Sequence, residues 1–552
     1  MKGRYRSLKP AQVDFPPVPQ FSFTNLALII PTNETNRNAF YLNTIQGSVD
    51  DVIETKVTIT YEDLFGSISS ENRVFLIEGR PGCGKTTLTR KVSRDWSEGT
   101  IMGEVKYLFL IPLRRFYDKP ISGLSSILDY FHLRILDTEV RENAGQGVCF
   151  IFDGLDEYSQ KYTADGQSWF EQLLRGEILT CSIIMITSRP NASVELRESV
   201  NTKGEVLGFL SKQIDEYIDK SYPNNPSMAG DVKTYLHNHK NIQHMCYVPL
   251  HLVMIIFIYN TCENDKAPLP KTETDVYHTF TVMSLIRYYR KNGKNVVLNT
   301  LQSLPTSELS LFLSISKLAY NATVGSKTSI SLHDIKDEFS ASDVANLGII
   351  VVDKKEGLSG GEPVLSFFHL TNQEFLAAYY VSTLPSNEQK KAIKEHVGKS
   401  HMSVVLKFLC GITQLQKDDH WNAIEEYALI NKWDGKKVNL KALHCIFESQ
   451  NGQRCKELFA KTGGKLLIRD EILTLLDYCV VGYCLESATD AVREISLKCQ
   501  LTSEGLGIID EKITRCMESV KNFEILDDLC DKDKCSALTK LFHRFPNVES
   551  LK

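Results

Sequence analysis

The sequence predicts an α/β fold: a five-stranded, mainly parallel sheet covered by helices, followed by a longer and mostly helical part. Three observations predict it. Between Val74 and about Phe209 five short apolar runs, VFLIE, YLFLIP, VCFIF, SIIMIT and EVLGF, are separated by longer helix-like stretches. Continuous apolar runs of that length, alternating with helices, belong to strands buried on both faces of a parallel sheet. Beyond Leu210 the strand signals thin out, and helical segments follow, among them FLSKQIDEYIDKSY, PLHLVMIIFIYN and TDVYHTFTVMSLIRYYRK. Finally, 552 residues exceed what one hydrophobic core usually organises, so several domains are expected.

In chain order, residues 1–70 carry the proline-rich FPPVPQF and then mixed polar sequence without periodicity, which reads as an extended leader. The sheet domain occupies 71–209 and a helical domain 210–270. LGIIVVD and EPVLSFFHL flank KKEGLSGG, a glycine-bearing turn after the helix-like SLHDIKDEF. Helices followed by such a β-hairpin suggest a winged-helix unit over 271–382. Residues 383–480 read as helical again, and 481–552 as irregular. No period of 20 to 50 residues is visible, so a complete repeat array is not expected.

Composition narrows the function classes. The balance of 63 basic against 68 acidic residues gives no global field that would steer the chain to nucleic acid or anionic lipid. The longest uncharged apolar run, Leu252 to Tyr259, is far short of the roughly 20 residues of a spanning helix. The N-terminus MKGRYRSLKP lacks the apolar stretch of a secretory signal. Fourteen cysteines are scattered without a CxxC pair, as reduced, mostly buried thiols of a cytoplasmic protein would be. Cys530 and Cys535 have no histidine at ligand spacing.

The chemistry is concentrated in three segments. Gly79-Arg80-Pro81-Gly82-Cys83-Gly84-Lys85-Thr86, with Thr87 next, follows directly on the strand Val74 to Glu78. It fits the P-loop pattern G-x-x-x-x-G-K-[ST]. Glycines let successive backbone N–H groups turn toward a β-phosphate, and the helix that begins there adds its N-terminal dipole. Lys85 is expected to reach the β- and γ-phosphates, and the Thr86 hydroxyl to coordinate Mg²⁺. Leu88, Val92 and Trp96 form a stripe that packs this helix on the sheet. In the second segment, the strand Val148 to Phe152 ends in Asp153-Gly154-Leu155-Asp156-Glu157. Acids at the carboxyl edge of a parallel strand face the crevice where phosphates bind. Asp153 is expected to hold magnesium, and Asp156 or Glu157 to orient or deprotonate the attacking water. The third strand ends in Thr187-Ser188-Arg189-Pro190, where Arg189 would read the γ-phosphate; an arginine at a strand end also serves as an ordinary ion pair. Arg114 and Arg115, after YLFLIPL, read as structural.

Taken in order, GRPGCGKTT, IFDGLDE, TSRP, CYVPLHL and FFHLTNQEFLAAYY resemble the NACHT family of P-loop NTPases, the core of NOD-like receptors, over about residues 50–410. The resemblance implies nucleotide-binding, helical, winged-helix and second helical domains that close on ADP and open to self-associate with ATP and Mg²⁺. It implies sensor 1 for Arg189 and adenine contact for Pro249, although proline is favoured at a first helical position for φ alone. It also implies slow hydrolysis in innate immune or cell-death signalling, for an activating ligand and adaptor that these motifs do not identify. The likeness suggests an invertebrate-type member. No effector bundle is recognisable ahead of the P-loop, and the closing FPNVESLK matches at most the opening of a leucine-rich repeat.

His369 ends the second hairpin strand, just before Thr371-Asn372-Gln373-Glu374, read as a capping box that opens the next helix. In NACHT relatives the matching histidine reaches the β-phosphate of ADP. Two other readings compete with the switch. A mechanical ATPase of the AAA type would turn over on the order of 1 to 10³ ATP per second. A winged-helix DNA-binding regulator would use Lys354 and Lys355, but Asp353, Glu356 and Glu362 surround them, and the phosphate contacts needed for affinity are lacking.

Overall fold

A computed structural model describes residues 2–6, 27–29, 58–59 and 61–66, and 73–551 apart from 80–81, 117–119, 159–167, 190–192, 194, 266–269, 292–300, 326, 328, 332–349, 354–363, 368, 397–401, 419–420, 423–424, 426–437, 470–472, 474, 500 and 526–531. Arg80, Pro81, Lys354, Lys355, Glu356, Glu362 and Cys530 therefore lie outside the described residues.

The five expected strands are β3 (Val74–Gly79), β4 (Tyr107–Pro112), β5 (Val148–Asp153), β6 (Ile183–Ser188) and β7 (Thr202–Gly208). All pair in parallel. Two short strands join them from the segment read as a leader, β1 (Ala27–Ile29) and β2 (Thr58–Ile59). β1 pairs antiparallel with both β2 and β7, giving, among the described residues, a seven-stranded sheet in the order β2-β1-β7-β3-β6-β5-β4. Strands of two or three residues are too short to leave a periodic signal. The same segment supplies helix α1 (Lys2–Arg6) and helix α2 (Tyr61–Gly66). Tyr5 Oη donates to Leu108 O and accepts from Leu110 N, both at 3.1 Å, covering the outer edge of β4.

Helix α3 (Lys85–Glu98) is bounded by two left-handed glycines, Gly84 at φ 104° and Gly99 at φ 83°. Its Leu88, Val92 and Trp96 are buried, as the stripe predicts, and Trp96 Nε1 donates to Val105 O at 2.8 Å. Around the sheet lie α4 (Leu124–Phe131), α5 (Asp137–Glu142) and α6 (Trp169–Arg175).

Beyond the sheet come α7 (Ser211–Ser221), α8 (Pro226–Asn238), α9 (Lys240–Met245), α10 (Pro249–Asp265), α11 (Glu273–Lys291) and α12 (Thr306–Val324). A three-stranded antiparallel sheet follows: β8 (Ser329–Ser331), β9 (Ile350–Asp353) and β10 (Val364–Phe367), in the order β8-β10-β9. The pairing of β9 with β10 is the hairpin the sequence suggests. Ser331, which opens the helix-like SLHDIKDEF, instead closes β8; the rest of that stretch lies outside the described residues. Then come α13 (Leu370–Thr383), α14 (Ser386–His396) and α15 (Met402–Thr413).

The capping box expected on Thr371 does not form. The N-cap of α13 is His369, whose side chain accepts from Thr371 N. With the helix starting at Leu370, Glu374 stands too far into it to reach back to the N-cap, and it is buried instead.

The largest correction concerns the C-terminal part. Helices α16 (Leu440–Ser449) and α17 (Gly452–Lys461) are followed by β11 (Lys465–Arg469), α18 (Leu475–Ser487), β12 (Glu494–Lys498), α19 (Ser503–Lys512), β13 (Asn522–Ile525), α20 (Lys532–Phe542) and β14 (Ser550–Leu551). The four strands form one parallel sheet, and Val438 bridges in parallel to Leu466. Register partners Val438, Leu466, Ile495, Phe523 and Leu551 recur every 28 or 29 residues. This is a β-α repeat stack in which each unit buries its apolar face against the next. Its period escapes a reading by eye because Val, Leu, Ile and Phe interchange at the marker position.

The described apolar core falls into two clusters. One fills the α/β unit, and the other runs without a break from Phe209 to Phe545 through the helices, the hairpin and the repeats. The phosphate-loop edge of the sheet lies at the seam between them.

Candidate functional site

The strands β3, β5 and β6 are parallel neighbours, so their carboxyl ends bring Gly79, Asp153 and Ser188 to one edge of the sheet. At Gly82 and Gly84 the loop turns with φ of 75° and 104°. Cys83 is buried beneath the loop, and burial pushes its thiol up, so it serves packing rather than chemistry. Lys85 Nζ lies 2.6 Å from Gly79 O, folded over its own loop. Thr86 is exposed and Thr87 partly buried.

Asp153 is buried, and its Oδ1 accepts from Thr187 Oγ1 at 2.7 Å. That hydroxyl in turn accepts from Gly154 N at 2.9 Å. Thr187, which sequence reading passed over, thus fixes the carboxylate and the turn after it. The two acids left as alternatives differ in their surroundings. Asp156 Oδ2 is 2.8 Å from Arg189 Nε, and its Oδ1 accepts from Arg189 N at 3.3 Å. Asp156 is therefore committed to holding Arg189. Burial pushes Glu157 up to about 7, against the opposing charge of Arg114 and with reinforcement from Asp156 and Asp153. A carboxyl poised near neutrality is suited to proton transfer. Arg114, read as structural, places its charge at this cleft; the signal was its position at the end of β4, where Pro112 pairs with Asp153.

The helical part closes over the loop from two directions. At the start of α10, Leu250 N donates to Gly82 O at 3.4 Å, which sets Pro249 beside the P-loop. A Cβ at Gly82 would lie 2.8 Å from Val248 Cγ1, so this approach requires glycine on steric as well as conformational grounds. Gly82→Ala should therefore lower Tm and weaken nucleotide binding at least tenfold. Gly99→Ala is the control: it has a similar φ of 83° but open space around its Cβ, and it should leave binding unchanged in titration calorimetry.

From the other direction comes His369. Its Nδ1 accepts from Thr371 N at 3.2 Å. Burial, then the charges of Arg189, His251 and Lys85, hold its pKa down to about 3. The ring is neutral, and because Nδ1 is an acceptor the proton sits on Nε2. Arg189 and Lys85 thus lie within electrostatic reach of His369, from different parts of the chain. Glu374, one turn beyond on α13, is buried and pushed up to about 7 by that burial, against the charges of Arg189 and Lys407. The glycine-lined loop, the lysine and the buried Asp153 supply the donor set that a magnesium-bound nucleotide phosphate takes.

Residues 73–225 match the NACHT domain family. The chain is 24% identical over 353 residues to nucleotide-binding oligomerization domain-containing protein 2 of Bos taurus, covering 60% of this chain and 34% of that protein. It is 25% identical over 366 residues to Protein NLRC5 of Homo sapiens, covering 62% and 18%. To the human NACHT, LRR and PYD domains-containing protein 12 it is 23% identical over 470 residues, covering 76% and 42%. The chain spans less than half the length of these relatives. Among the described residues no helix is long and apolar enough to cross a membrane. The P-loop sheet, the edge it presents and these matches support a NACHT P-loop NTPase of the NOD-like receptor family.

Proposed function

We propose that the chain is an ATP/ADP switch whose nucleotide state controls self-association, and that its hydrolysis is slow and resets the switch rather than processing a substrate. The observation that carries this reading is the histidine. His369 belongs to the body of the chain that shares no core with the sheet, yet it feels the charges of Lys85 and Arg189. A nucleotide bound there is held by both bodies, so loss or exchange of that nucleotide changes what holds them together.

In this reading the P-loop from Gly79 to Gly84, through its backbone N–H groups other than at Pro81, holds the phosphates together with Lys85 and Thr87. Thr86 and Asp153 hold Mg²⁺, which when bound neutralises phosphate charge. Arg189, oriented by Asp156, reads the γ-phosphate, Pro249 borders the base, and Glu157 takes the proton of the attacking water. The expected setting is cytoplasmic innate immune or cell-death signalling, with an upstream ligand and a downstream adaptor.

Two measurements test it. Light scattering should give a monomer with ADP and larger species with ATP, with turnover well below about 1 per second. Sustained turnover above that, by a chain that stays monomeric, would instead favour a mechanical ATPase. Glu157→Gln should retain ATP and slow its hydrolysis at least a hundredfold. The sign of the pH dependence follows from Glu157 being active as the carboxylate. In the wild type kcat/KM should rise with pH and level off above about 7, and in Glu157→Gln that limb should disappear. If Asp156→Asn removes the limb and Glu157→Gln does not, the two roles are exchanged.

A further inference from the structure

Beside the P-loop, the carboxyl edge of the sheet buries a glutamate. Glu78, next to Gly79 at the end of β3, is fully buried, and its register partners are Ser188 of β6 and Glu205 of β7. Arg197, on a short helical turn (Glu195–Ser199), places its Nε 3.0 Å from Glu78 Oε1. Ser193 is buried too, and its Oγ donates to the same Glu78 oxygen and stands 3.1 Å from Arg189 O. A hydroxyl carries one proton, so the two acceptors share it and hold the hydroxyl between them. Glu78 Oε2 is buried without a hydrogen-bond partner.

Stability does not account for a carboxylate at this position. A buried charge with an unsatisfied oxygen is costly beside an apolar side chain of the same size. What the glutamate joins gives it a reason. On one side it leads into Gly79, whose carbonyl accepts from Lys85 Nζ at 2.6 Å. On the other, Ser193 carries its hold to the backbone of Arg189, whose O also accepts from Ser188 Oγ at 2.9 Å. Asp156 holds the same arginine at Nε, 2.8 Å away, and at its N–H, 3.3 Å away. Arg189 is thus fixed at guanidinium, amide and carbonyl, and Glu78 ties it to the strand that opens into the P-loop.

We propose that Glu78 is a positioning residue for Arg189: through Ser193 and Arg197 it sets the segment after β6 so that the guanidinium stands at the γ-phosphate position of a nucleotide on the P-loop. The inference deepens the switch reading and rests on it, because there Arg189 reads the γ-phosphate. Glu78 does not itself meet the nucleotide. Its loss therefore weakens a triphosphate and spares a diphosphate, whereas loss of a merely structural carboxylate lowers Tm and weakens both alike.

The test uses the full chain. Binding of ADP and of the non-hydrolysable triphosphate AMPPNP is measured by titration calorimetry, alongside hydrogen exchange at the Arg189 amide in nucleotide-free protein. Glu78→Ala should weaken AMPPNP about tenfold or more, the scale of one charge-assisted hydrogen bond to phosphate, and leave ADP within about twofold. It should also speed exchange at Arg189. Ser193→Ala, which removes the shared hydroxyl, should shift both readouts in the same direction and stands in for Glu78→Ala should that variant not fold. Glu78→Gln keeps an oxygen acceptor for Ser193 and should stay close to wild type. Leu76→Ala removes apolar packing from the same strand, and at a comparable fall in Tm it should keep the ratio of the two affinities. Arg189→Ala marks full loss of the γ-phosphate contact. If it weakens AMPPNP selectively while Glu78→Ala and Ser193→Ala keep the wild-type ratio, the inference is overturned. If Arg189→Ala leaves both affinities unchanged, or the wild type binds neither nucleotide, the reading of Arg189 fails instead. Exchange at Arg189 then decides by itself: faster in Glu78→Ala and Ser193→Ala than in Leu76→Ala supports the positioning, and equality overturns it.

Discussion

Lys85→Ala is expected to abolish tight nucleotide binding. The lysine bridges two phosphates in the proposed pose, and each hydrogen bond between charged partners contributes roughly 1.5 to 3 kcal/mol. Losing both corresponds to a fall in affinity on the order of 10² to 10⁴. The fold should survive, because Lys85 Nζ bonds Gly79 O of its own loop and Leu88, Val92 and Trp96 anchor the helix independently. Titration calorimetry with ADP checks this, with the calorimetric Tm as the control. An affinity within twofold of wild type would remove the P-loop from the site.

The second large effect is that of His369→Ala. A neutral imidazole with its proton on Nε2 donates to an anionic phosphate oxygen, and such a bond contributes roughly 1.5 to 3 kcal/mol. Each 1.4 kcal/mol shifts a two-state equilibrium about tenfold. The variant should therefore favour the open arrangement by about 10- to 100-fold, retaining ADP poorly and forming oligomers with ATP. His369 is also the N-cap of α13, and losing a cap costs about 0.5 to 2 kcal/mol on its own. His369→Ser separates the two roles, since serine caps a helix but does not reach the phosphate. It should open like His369→Ala while keeping the stability of α13. If both variants hold ADP as wild type does and stay monomeric, His369 is only a cap.

The same residue gives a pH signature in the nucleotide-free chain. Its pKa is lowered from 6.5 to about 3 by burial and then by the neighbouring cations. Stability from keeping the ring neutral and enclosed is therefore fully present above pH 6.5 and is lost as the pH falls toward 3.

What the sequence made legible, and what it hid, follows physical lines. The strands β3 to β7 were readable because burial on both faces leaves continuous apolar runs. The P-loop and the carboxylates after β5 were readable because their backbone chemistry fixes residue type and spacing. Pairings between distant segments leave no local trace. Nothing in DGLDE says that Asp156 turns to Arg189 while Glu157 remains poised near neutrality. The helix starts earlier than TNQE suggests: those letters satisfy a capping box, but the imidazole two residues before Thr371 takes the N-cap position and accepts from Thr371 N. The repeat stack escaped for a related reason: each unit offers one short strand and one helix, with interchangeable apolar residues at the register position. Its regularity lies in the backbone pairing of Leu466, Ile495, Phe523 and Leu551.

The central claim is that nucleotide holds two bodies of the chain together, and the nucleotide that leaves the purified protein on denaturation tests it most directly. Chain purified without added nucleotide should release close to one ADP per molecule, because a site closed by Lys85, Arg189 and His369 lets its product go slowly. Release of no nucleotide, with fast exchange of added ADP, would contradict the account: the seam between the sheet and the helical body would then be no lock.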